Sequence, residues 1–181
     1  MKVITRFAPS PSGLLHIGGA RTALFNFVFA KANNGIFRLR IENTDNERQS
    51  KRSIESIIND LDWLGIKHNE KIVLQKLNID KHIKVAEEMI ENDLAYKCFM
   101  TVGELNDNKV NKSKIKFRSV WRDKKFESHP KTKPYVIRFK TPLNSKIEIN
   151  DIVQGKISVK SEEIDDYILV RSDGNPTFLL S

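Results

Sequence analysis

The residues most able to do chemistry lie in one short stretch, from Pro9 to Gly19. Residues 3–7 before it are mostly apolar and β-branched, which predicts a strand, and a helical pattern begins directly after it. A helix N-terminus has unpaired N–H groups and partial positive charge, so it can bind phosphate. Gly18 and Gly19 would let a ligand approach the backbone closely, and His16 could donate a hydrogen bond to a phosphate oxygen. The stretch therefore predicts a phosphate-binding loop, although it matches neither of the common glycine-rich phosphate motifs.

Charged side chains follow the predicted strands on either side of this helix. Apolar and charged residues alternate up to Glu42, which predicts a second strand, and strand–helix–strand predicts a parallel sheet. Ligands of such sheets bind beyond the carboxyl ends of the strands, where Arg6, Ser10 and Glu42 would all lie. Arg6 offers a planar fork that matches a carboxylate, and Glu42 could accept hydrogen bonds from an ammonium group. The simpler interpretations are a solvent-exposed Arg6 and an ion pair of Glu42 with Arg40 or Arg48.

Three blocks of the sequence, in the expected order, resemble the bacterial glutamyl-tRNA synthetases. The first runs from Arg6 to Asn26 and includes His16-Ile17-Gly18-Gly19, which is similar to the H-I-G-H signature of class I aminoacyl-tRNA synthetases. The others run from Arg40 to Arg48 and from Ser172 to Thr177, while residues 105–133 match poorly. The resemblance implies an α/β fold, in which a Rossmann-like (HUP-type) nucleotide-binding core with a parallel sheet carries an inserted, β-rich α+β domain that binds the tRNA acceptor stem.

The resemblance also implies an activity, the ATP-dependent charging of tRNA(Glu) with L-glutamate through a glutamyl-adenylate. His16 would be the catalytic residue, since fixed positive groups stabilise the phosphoryl oxygens in such a reaction. The signature from Pro9 to Gly19 would bind ATP together with its magnesium ion, and the ATP-binding residues would be Pro11, Gly13, His16, Gly18 and Gly19. We therefore expect ATP and Mg²⁺ as cofactors, and tRNA(Glu), L-glutamate and ATP as partners.

The remaining site residues are carried over position by position from the same resemblance. L-Glutamate would contact Arg6, Ala8, Ser10, Glu42 and Phe178. The tRNA 3′ end would lie near Asp45 and Arg48, although Asp45 could equally be only a helix cap. Three departures from the family pattern leave roles open: Asn43 replaces the usual aspartate, Phe178 replaces a common tyrosine, and residues 75–78 differ from the usual Q-S-x-R block.

Composition excludes several classes of protein. Cys98 is the sole cysteine, which excludes an internal disulfide framework and a multi-cysteine zinc site, so we expect no zinc and a cytoplasmic location. The sequence shows no signal peptide and no apolar run long enough to span a membrane, so no membrane partner is expected. The net charge of +8 favours a polyanion such as tRNA, or else a solvated lysine-rich surface. We expect a monomer.

Pattern and resemblance together divide the chain into three parts. Residues 1–92 would form the first half of the Rossmann-like catalytic core, and residues 93–174 the inserted acceptor-binding domain. Residues 175–181 would begin the return strand of the core, and because this strand stops early we expect a fragment that is nearly inactive alone. Within the inserted domain, residues 109–125 are rich in lysine and arginine, which is typical of a solvated loop. An RNA-binding surface with interleaved aromatic side chains is the alternative.

Three other functions fit parts of the pattern. A glutamyl-queuosine tRNA(Asp) synthetase is a shorter relative, but residues 19–26 favour the full enzyme. A non-catalytic RNA-binding module derived from a synthetase would share the fold without depending on His16. A small-molecule adenylyl or cytidylyl transferase would share the phosphate-binding loop, but it gives no reason for Arg6, Ser10 and Glu42 to occur together.

Overall fold

The computed structural model describes residues 2–44, 51–111 and 116–181. The chain forms two compact units, residues 1–79 and residues 80–181. The division at residues 92 and 174 rests on composition and resemblance and stays a prediction. Within the described ranges, no helix is both long enough and apolar enough to cross a membrane.

A parallel three-stranded sheet forms the centre of the first unit. Its strands are β1 (Ile4–Phe7), β2 (Ile36–Ile41) and β3 (Val73–Leu74), in the order β1-β2-β3. Helix α1 (Ile17–Ala32) connects β1 to β2, and α2 (Lys51–Trp63) lies between β2 and β3 in the chain. Both strand pairs are parallel, so the predicted strand–helix–strand unit is confirmed.

The core of this unit lies on one face of the sheet. Phe37, Leu39 and Ile41 alternate along β2 and are almost fully buried, because successive side chains of a strand point to opposite faces. Both helices contribute buried residues to the same core, among them Ala23, Ala30, Ile57 and Leu61. The charged residues of β2 therefore point away from the two helices, towards the other face of the sheet.

A close approach between backbones fixes the corner between α1 and β2. Asn34 takes the left-handed backbone conformation (φ 49°) just after the helix. The next residue, Gly35, donates its N–H to the carbonyl of Ala30 at 2.7 Å. A Cβ on Gly35 would overlap the carbonyl oxygen of Val3, just before β1. Glycine is thus required here for space, since its own backbone angles are ordinary.

Antiparallel strands form most of the second unit, which follows Ile79. Strands β4 (Ala95–Cys98), β5 (Val136–Phe139) and β8 (Ile168–Val170) make one sheet in the order β4-β5-β8. Strands β6 (Lys146–Asp151) and β7 (Gly155–Lys160) make a separate hairpin. Helices α3 (Ile79–Glu91) and α4 (Val102–Asn111) complete the main elements. The described part of the second half is therefore rich in antiparallel strands, while the inserted domain expected for residues 93–174 stays a prediction.

The strand predicted from Pro176 onwards is wrong. Pro176 makes only an isolated bridge to Val170. Thr177 donates its N–H to the carbonyl of Leu169, and the N–H groups of residues 180 and 181 both donate back to the carbonyl of Thr177. These short-range bonds close a turn, because amides paired with a carbonyl three or four residues earlier cannot form a strand ladder.

The prediction of a solvated loop for residues 109–125 is also wrong for Arg118 and Arg122, which lie in the described part of this segment. Arg122 is buried and its guanidinium lies 2.7 Å from the carboxylate of Asp166, which is itself fully buried. Arg118 is 3.5 Å from the same carboxylate. Trp121 packs edge-on against Phe99 at 5.0 Å between ring centres. These contacts join residues far apart in sequence, so a local charge pattern could not predict them.

Candidate functional site

The loop between β1 and α1 holds His16 at the start of the helix. His16 is the N-cap residue of α1, and its Nδ1 accepts a hydrogen bond from the Gly19 N–H at 3.3 Å. In the neutral ring the proton is therefore on Nε2, because only one ring nitrogen can be the acceptor. The side chain is exposed, so this Nε2–H can donate to a ligand outside the helix.

The two glycines after His16 have a packing role that the sequence did not reveal. A Cβ on Gly18 would lie 3.0 Å from the His16 ring, and a Cβ on Gly19 would lie 2.9 Å from a methyl group of Leu15. Glycine at position 18 therefore keeps space for the imidazole cap, and glycine at position 19 keeps space for the Leu15 side chain. Among the described residues, the Gly18 N–H has no hydrogen-bond partner, which leaves it as a donor at the positive end of the helix. The space around Gly13, by contrast, is open.

The same loop is attached to the end of β2. The N–H of Glu42, the residue that directly follows β2, donates to the carbonyl of Pro9 at 2.9 Å. Pro11 is fully buried, and Ser10 accepts a hydrogen bond from the N–H of Ser12 at 2.9 Å. These contacts bring the signature loop and Glu42 together at the carboxyl ends of β1 and β2, the edge where parallel sheets bind ligands.

The Glu42 carboxylate already has a partner. Its Oε1 accepts from Nη2 of Arg40 at 2.7 Å, with both side chains only about one-fifth to one-quarter exposed (21% and 24%). This is one form of the ion pair considered as the simpler interpretation of Glu42. The other oxygen, Oε2, accepts no hydrogen bond from a described residue. An ammonium group of a ligand could bind there, and it would then share the carboxylate with Arg40.

Arg6 lies on β1 with its guanidinium exposed. It makes no hydrogen bond or ion pair with any described residue, so all its N–H donors are available to a carboxylate. Arg6 is the register partner of Arg38, and side chains of register partners share a face of the sheet. By alternation along β2, Arg6, Arg40 and Glu42 all lie on the face opposite the helical core. The sheet thus places the exposed guanidinium of Arg6 and the carboxylate of Glu42 on one face, near the loop that carries His16.

Four further residues were predicted for the site: Ala8, Asp45, Arg48 and Phe178. Ala8 is half-buried directly before the signature loop, between Arg6 and Ser10. Phe178 belongs to the second unit, where its side chain is 72% exposed, and its proposed contact with L-glutamate stays a prediction. Asp45 and Arg48 lie outside the described residues, so their predicted contact with the tRNA 3′ end also stays a prediction.

Sequence reasoning left Asn43 and Gln75 without a role, and the structure shows what surrounds them. The Oδ1 of Asn43 accepts the N–H of Lys76 at 2.9 Å, which ties the chain after β2 to the chain after β3. Asn43 is 7% exposed and Gln75 is 2% exposed. The signal that could have found them is their position, since each follows a strand at the ligand-binding edge of the sheet.

The described parts of the chain contain no group of three or more histidine, cysteine, aspartate or glutamate side chains that could hold a metal ion. A cavity of about 270 Å³ lies beside the end of α2. None of the predicted site residues lines this cavity. Its lining residues are Leu39, Ile58, Asn59, Leu61, Asp62, Ile66, Lys67 and His68.

A parallel sheet that joins a histidine-capped helix to a carboxylate at its carboxyl edge is the arrangement expected of a class I synthetase core. The chain belongs to this class: residues 2–181 match the family described as tRNA synthetases class I (E and Q), catalytic domain. Among its curated relatives, glutamate–tRNA ligase 2 of Anaplasma phagocytophilum (strain HZ) is 48% identical over 185 residues, which cover 100% of this chain and 40% of that protein.

Other relatives and a solved structure agree with this. Glutamate–tRNA ligase 2 of Zymomonas mobilis is 45% identical over 183 residues, covering 99% of this chain and 38% of that protein. A crystal structure of a glutamate tRNA ligase from Elizabethkingia meningosepticum, in complex with its amino acid, matches with a TM-score of 0.84 and 37% identity. It covers 98% of this chain and 40% of that one. The chain therefore spans about two-fifths of the length of these relatives.

Proposed function

We propose that this chain is the glutamate-activating part of a glutamate–tRNA ligase. In the first step of that reaction a glutamate carboxylate attacks the α-phosphorus of ATP; a new O–P bond forms, the bond to the β-phosphate breaks, and pyrophosphate leaves. In the second step a ribose hydroxyl at the 3′ end of tRNA(Glu) attacks the carbonyl carbon of the glutamyl-adenylate; a new ester bond forms, the bond to the phosphate oxygen breaks, and AMP leaves. The relatives that carry this name, at up to 48% identity over the whole chain, support the proposal.

One observation carries the assignment to this site: the hydrogen bond of 2.9 Å from the Glu42 N–H to the Pro9 carbonyl. It holds the loop that presents His16 against the residue that would bind the substrate ammonium. Arg6, free on the same face of the sheet as Glu42, would bind a carboxylate of glutamate with its planar fork. This arrangement supports a site in which the amino acid and the triphosphate would lie side by side, which is the main requirement for a phosphoryl-transfer reaction.

The residues at the start of α1 would act on the phosphates. His16 donates from Nε2 to a phosphoryl oxygen, and the Gly18 N–H donates at the positive end of the helix. Charge builds on the phosphoryl oxygens in the transition state, where fixed donors of this kind are most effective. Magnesium would arrive bound to ATP. Pro11 and Gly13 would shape the remainder of this ATP-binding loop.

The second unit would bind the tRNA. We propose that residues 93–174 are an inserted domain that contacts the acceptor stem, with Asp45 and Arg48 near the 3′ end and Phe178 near L-glutamate. A net charge of +8 supports a polyanionic partner, because neutralising phosphates releases counterions. We also propose that the protein acts as a monomer in the cytoplasm.

A chimera tests the proposed function. Residues 1–181 would replace the matching part of the Anaplasma phagocytophilum relative, and charging of tRNA(Glu) with labelled L-glutamate would be measured. We expect charging by the chimera, and a loss of about 10²–10³-fold in kcat with His16→Ala, the size typical for removing one donor to a developing oxyanion. His68→Ala, which removes a histidine at the α2 cavity, is the matched control and should charge normally.

The same assay separates the alternatives. Charging of tRNA(Asp) in preference to tRNA(Glu) would indicate a glutamyl-queuosine tRNA(Asp) synthetase instead. A chimera whose activity does not change with His16→Ala would contradict the role proposed for this loop.

A further inference from the structure

Among the residues that the structure describes, two buried polar groups close to Glu42 in the fold have no hydrogen-bond partner. Gln75 is 2% exposed, yet neither its Oε1 nor its Nε2 is bonded; Nε of Arg40 is likewise buried and unpaired. Unpaired buried groups are rare in folded proteins because each loses its hydration without compensation. These groups are also complementary, since Nε–H of arginine can only donate and Oε1 of glutamine can only accept.

The backbone holds these groups close together. The last residues of β2 and β3 are register partners, and Glu42 and Gln75 directly follow them. The bond of 2.9 Å from the Lys76 N–H to Asn43 Oδ1 joins the same two chain segments one residue further on. Arg40 is the register partner of Val73, two residues before Gln75, and Gln75 begins the short 3-10 helix Gln75–Asn78 that follows β3.

Arg40 competes with the substrate that Glu42 is proposed to bind. Its Nη2 donates to Glu42 Oε1 at 2.7 Å, and this occupies part of the carboxylate that would receive an ammonium group. If the bond to Glu42 broke without replacement, the guanidinium would lose a charge-assisted hydrogen bond. Because the Arg40 side chain is only 21% exposed, little water could take the place of the carboxylate. A neighbouring acceptor would remove that penalty. The Gln75 carbonyl is the candidate, because it is buried without a described partner on the chain segment that follows β3, next to the end of β2.

We propose that Gln75 is a positioning residue that releases Glu42 for the amino acid. In the empty chain Arg40 is bonded to Glu42; when the ammonium of L-glutamate binds Glu42, Arg40 turns to the Oε1 of Gln75. Because Gln75 is neutral, the full charge of Glu42 is then directed at the ammonium. This inference rests on the proposed function, in which Glu42 binds that ammonium.

The change of partner can be measured without any ligand. In the Glu42→Ala chain, Arg40 has lost its carboxylate, so its Nε–H should bond to Gln75 and exchange slowly with water. In the double variant Glu42→Ala, Gln75→Met the same proton should exchange at least about tenfold faster by ¹⁵N NMR. Gln75→Met alone should raise the melting temperature by roughly 2 °C or more, because it removes two unpaired buried atoms. Equal exchange rates in the single and double variants would overturn the inference.

Binding to the 181-residue chain tests the link to the substrate. L-Glutamate would be compared by calorimetry with glutarate, which has both carboxylates and lacks the amino group. We expect Gln75→Met to weaken L-glutamate binding about tenfold and to leave glutarate unchanged, while Gln75→Glu, which keeps an acceptor oxygen, retains the preference. A merely structural Gln75 would affect both ligands equally, and that result would contradict the inference.

Failure of the proposed function would look different. A wild-type chain that binds L-glutamate no better than glutarate, or binds neither, contradicts both the ammonium role of Glu42 and the inference built on it. A wild-type preference for L-glutamate that survives unchanged in Gln75→Met contradicts only the inference.

Discussion

His16 uses its two ring nitrogens for different tasks. Nδ1 accepts the Gly19 N–H and so fixes the ring against the helix, while Nε2 faces outward as a donor. The residue type and its place at the start of a helix could be predicted from the sequence. Which ring nitrogen accepts a hydrogen bond could not be predicted from the sequence, because it depends on the ring lying close to one particular backbone N–H. The same limit applies to Glu42, whose pairing with Arg40 depends on side-chain geometry.

At the residue scale, Asn43 should tolerate aspartate but not leucine. Asn43→Asp keeps an oxygen that can accept the Lys76 N–H, so the free energy of unfolding in urea should change little. Asn43→Leu leaves that N–H unpaired at a site only 7% exposed, at a cost of about 1–3 kcal/mol.

The control for this prediction is Asn59→Leu. Asn59 has an exposed side chain on α2, so its replacement should be nearly neutral. Equal stability of the Asn43→Leu and Asn59→Leu variants would show that the Asn43 bond does not hold the two strand ends together.

The strand–helix–strand unit shows which elements a sequence can reveal. Alternation along β2 and helical spacing along α1 are local patterns, and both elements appear where they were predicted. The prediction of a strand from Pro176 was wrong because a strand forms only where a neighbouring strand can pair with it. Instead, the Thr177 carbonyl accepts the N–H groups of residues 180 and 181, which closes a turn next to β8. The close backbone contact at Gly35 could not be predicted from neighbouring residues either, because it involves the Val3 carbonyl, more than thirty residues away in the sequence.

Gly35→Ala should loosen this corner of the first unit. The added methyl group has no space beside the Val3 carbonyl, so β1 and β2 must move apart, at a cost of about 1–3 kcal/mol in urea unfolding. Gly103→Ala in α4 is the matched control: the nearest atom to its Cβ is 4.0 Å away, and alanine favours a helix, so stability should stay level or rise. A Gly35→Ala chain with the same free energy of unfolding as wild type would mean that the backbone between α1 and β2 can move to accommodate the methyl group at little cost.

The β6–β7 hairpin should be sensitive to acid at its turn. Backbone N–H groups of Gln154 and Val153 donate to the Asp151 carboxylate and hold its pKa below the ordinary value of 3.8. A lowered pKa in the folded hairpin means that the stabilisation is complete above the unfolded pKa and is lost as the pH falls through the folded one. The amide signals of residues 153 and 154 should therefore lose protection below about pH 4. Asp151→Asn should show no such transition, and an identical transition in that variant would contradict the assignment.

At the scale of the whole molecule, each of the two units has its own core, and the second also has a buried ionic centre. The Asp166 carboxylate accepts hydrogen bonds from Arg122, from the Tyr96 hydroxyl at 2.9 Å and from the Thr141 N–H at 3.1 Å. Burial, followed by the charge of Asp166, raises the pKa of Tyr96 well above its usual value. Because Arg118 and Arg122 are engaged inside the second unit, the net charge of +8 does not by itself show how basic the surface is.

Removing one partner from this centre should destabilise the second unit strongly. Arg122→Met leaves the Asp166 carboxylate buried without its arginine, at a cost of about 3–5 kcal/mol in the free energy of unfolding. Lys124→Met is the control, because Lys124 is exposed and its loss should change stability by no more than about 0.5 kcal/mol. A similar small effect of both substitutions would show that the buried pair is not needed for folding.

The central claim is that the amino acid and the nucleotide bind at the carboxyl edge of the first unit's sheet. The most direct measurement is a ¹⁵N NMR titration of this chain with L-glutamate and with a non-hydrolysable ATP analogue. L-Glutamate should shift the NMR resonances of the Glu42 amide and the Arg6 side-chain N–H, and the ATP analogue should shift the amide resonances of Gly18 and Gly19. Shifts confined to the α2 cavity, around Lys67 and His68, or no shifts with either ligand, would contradict it.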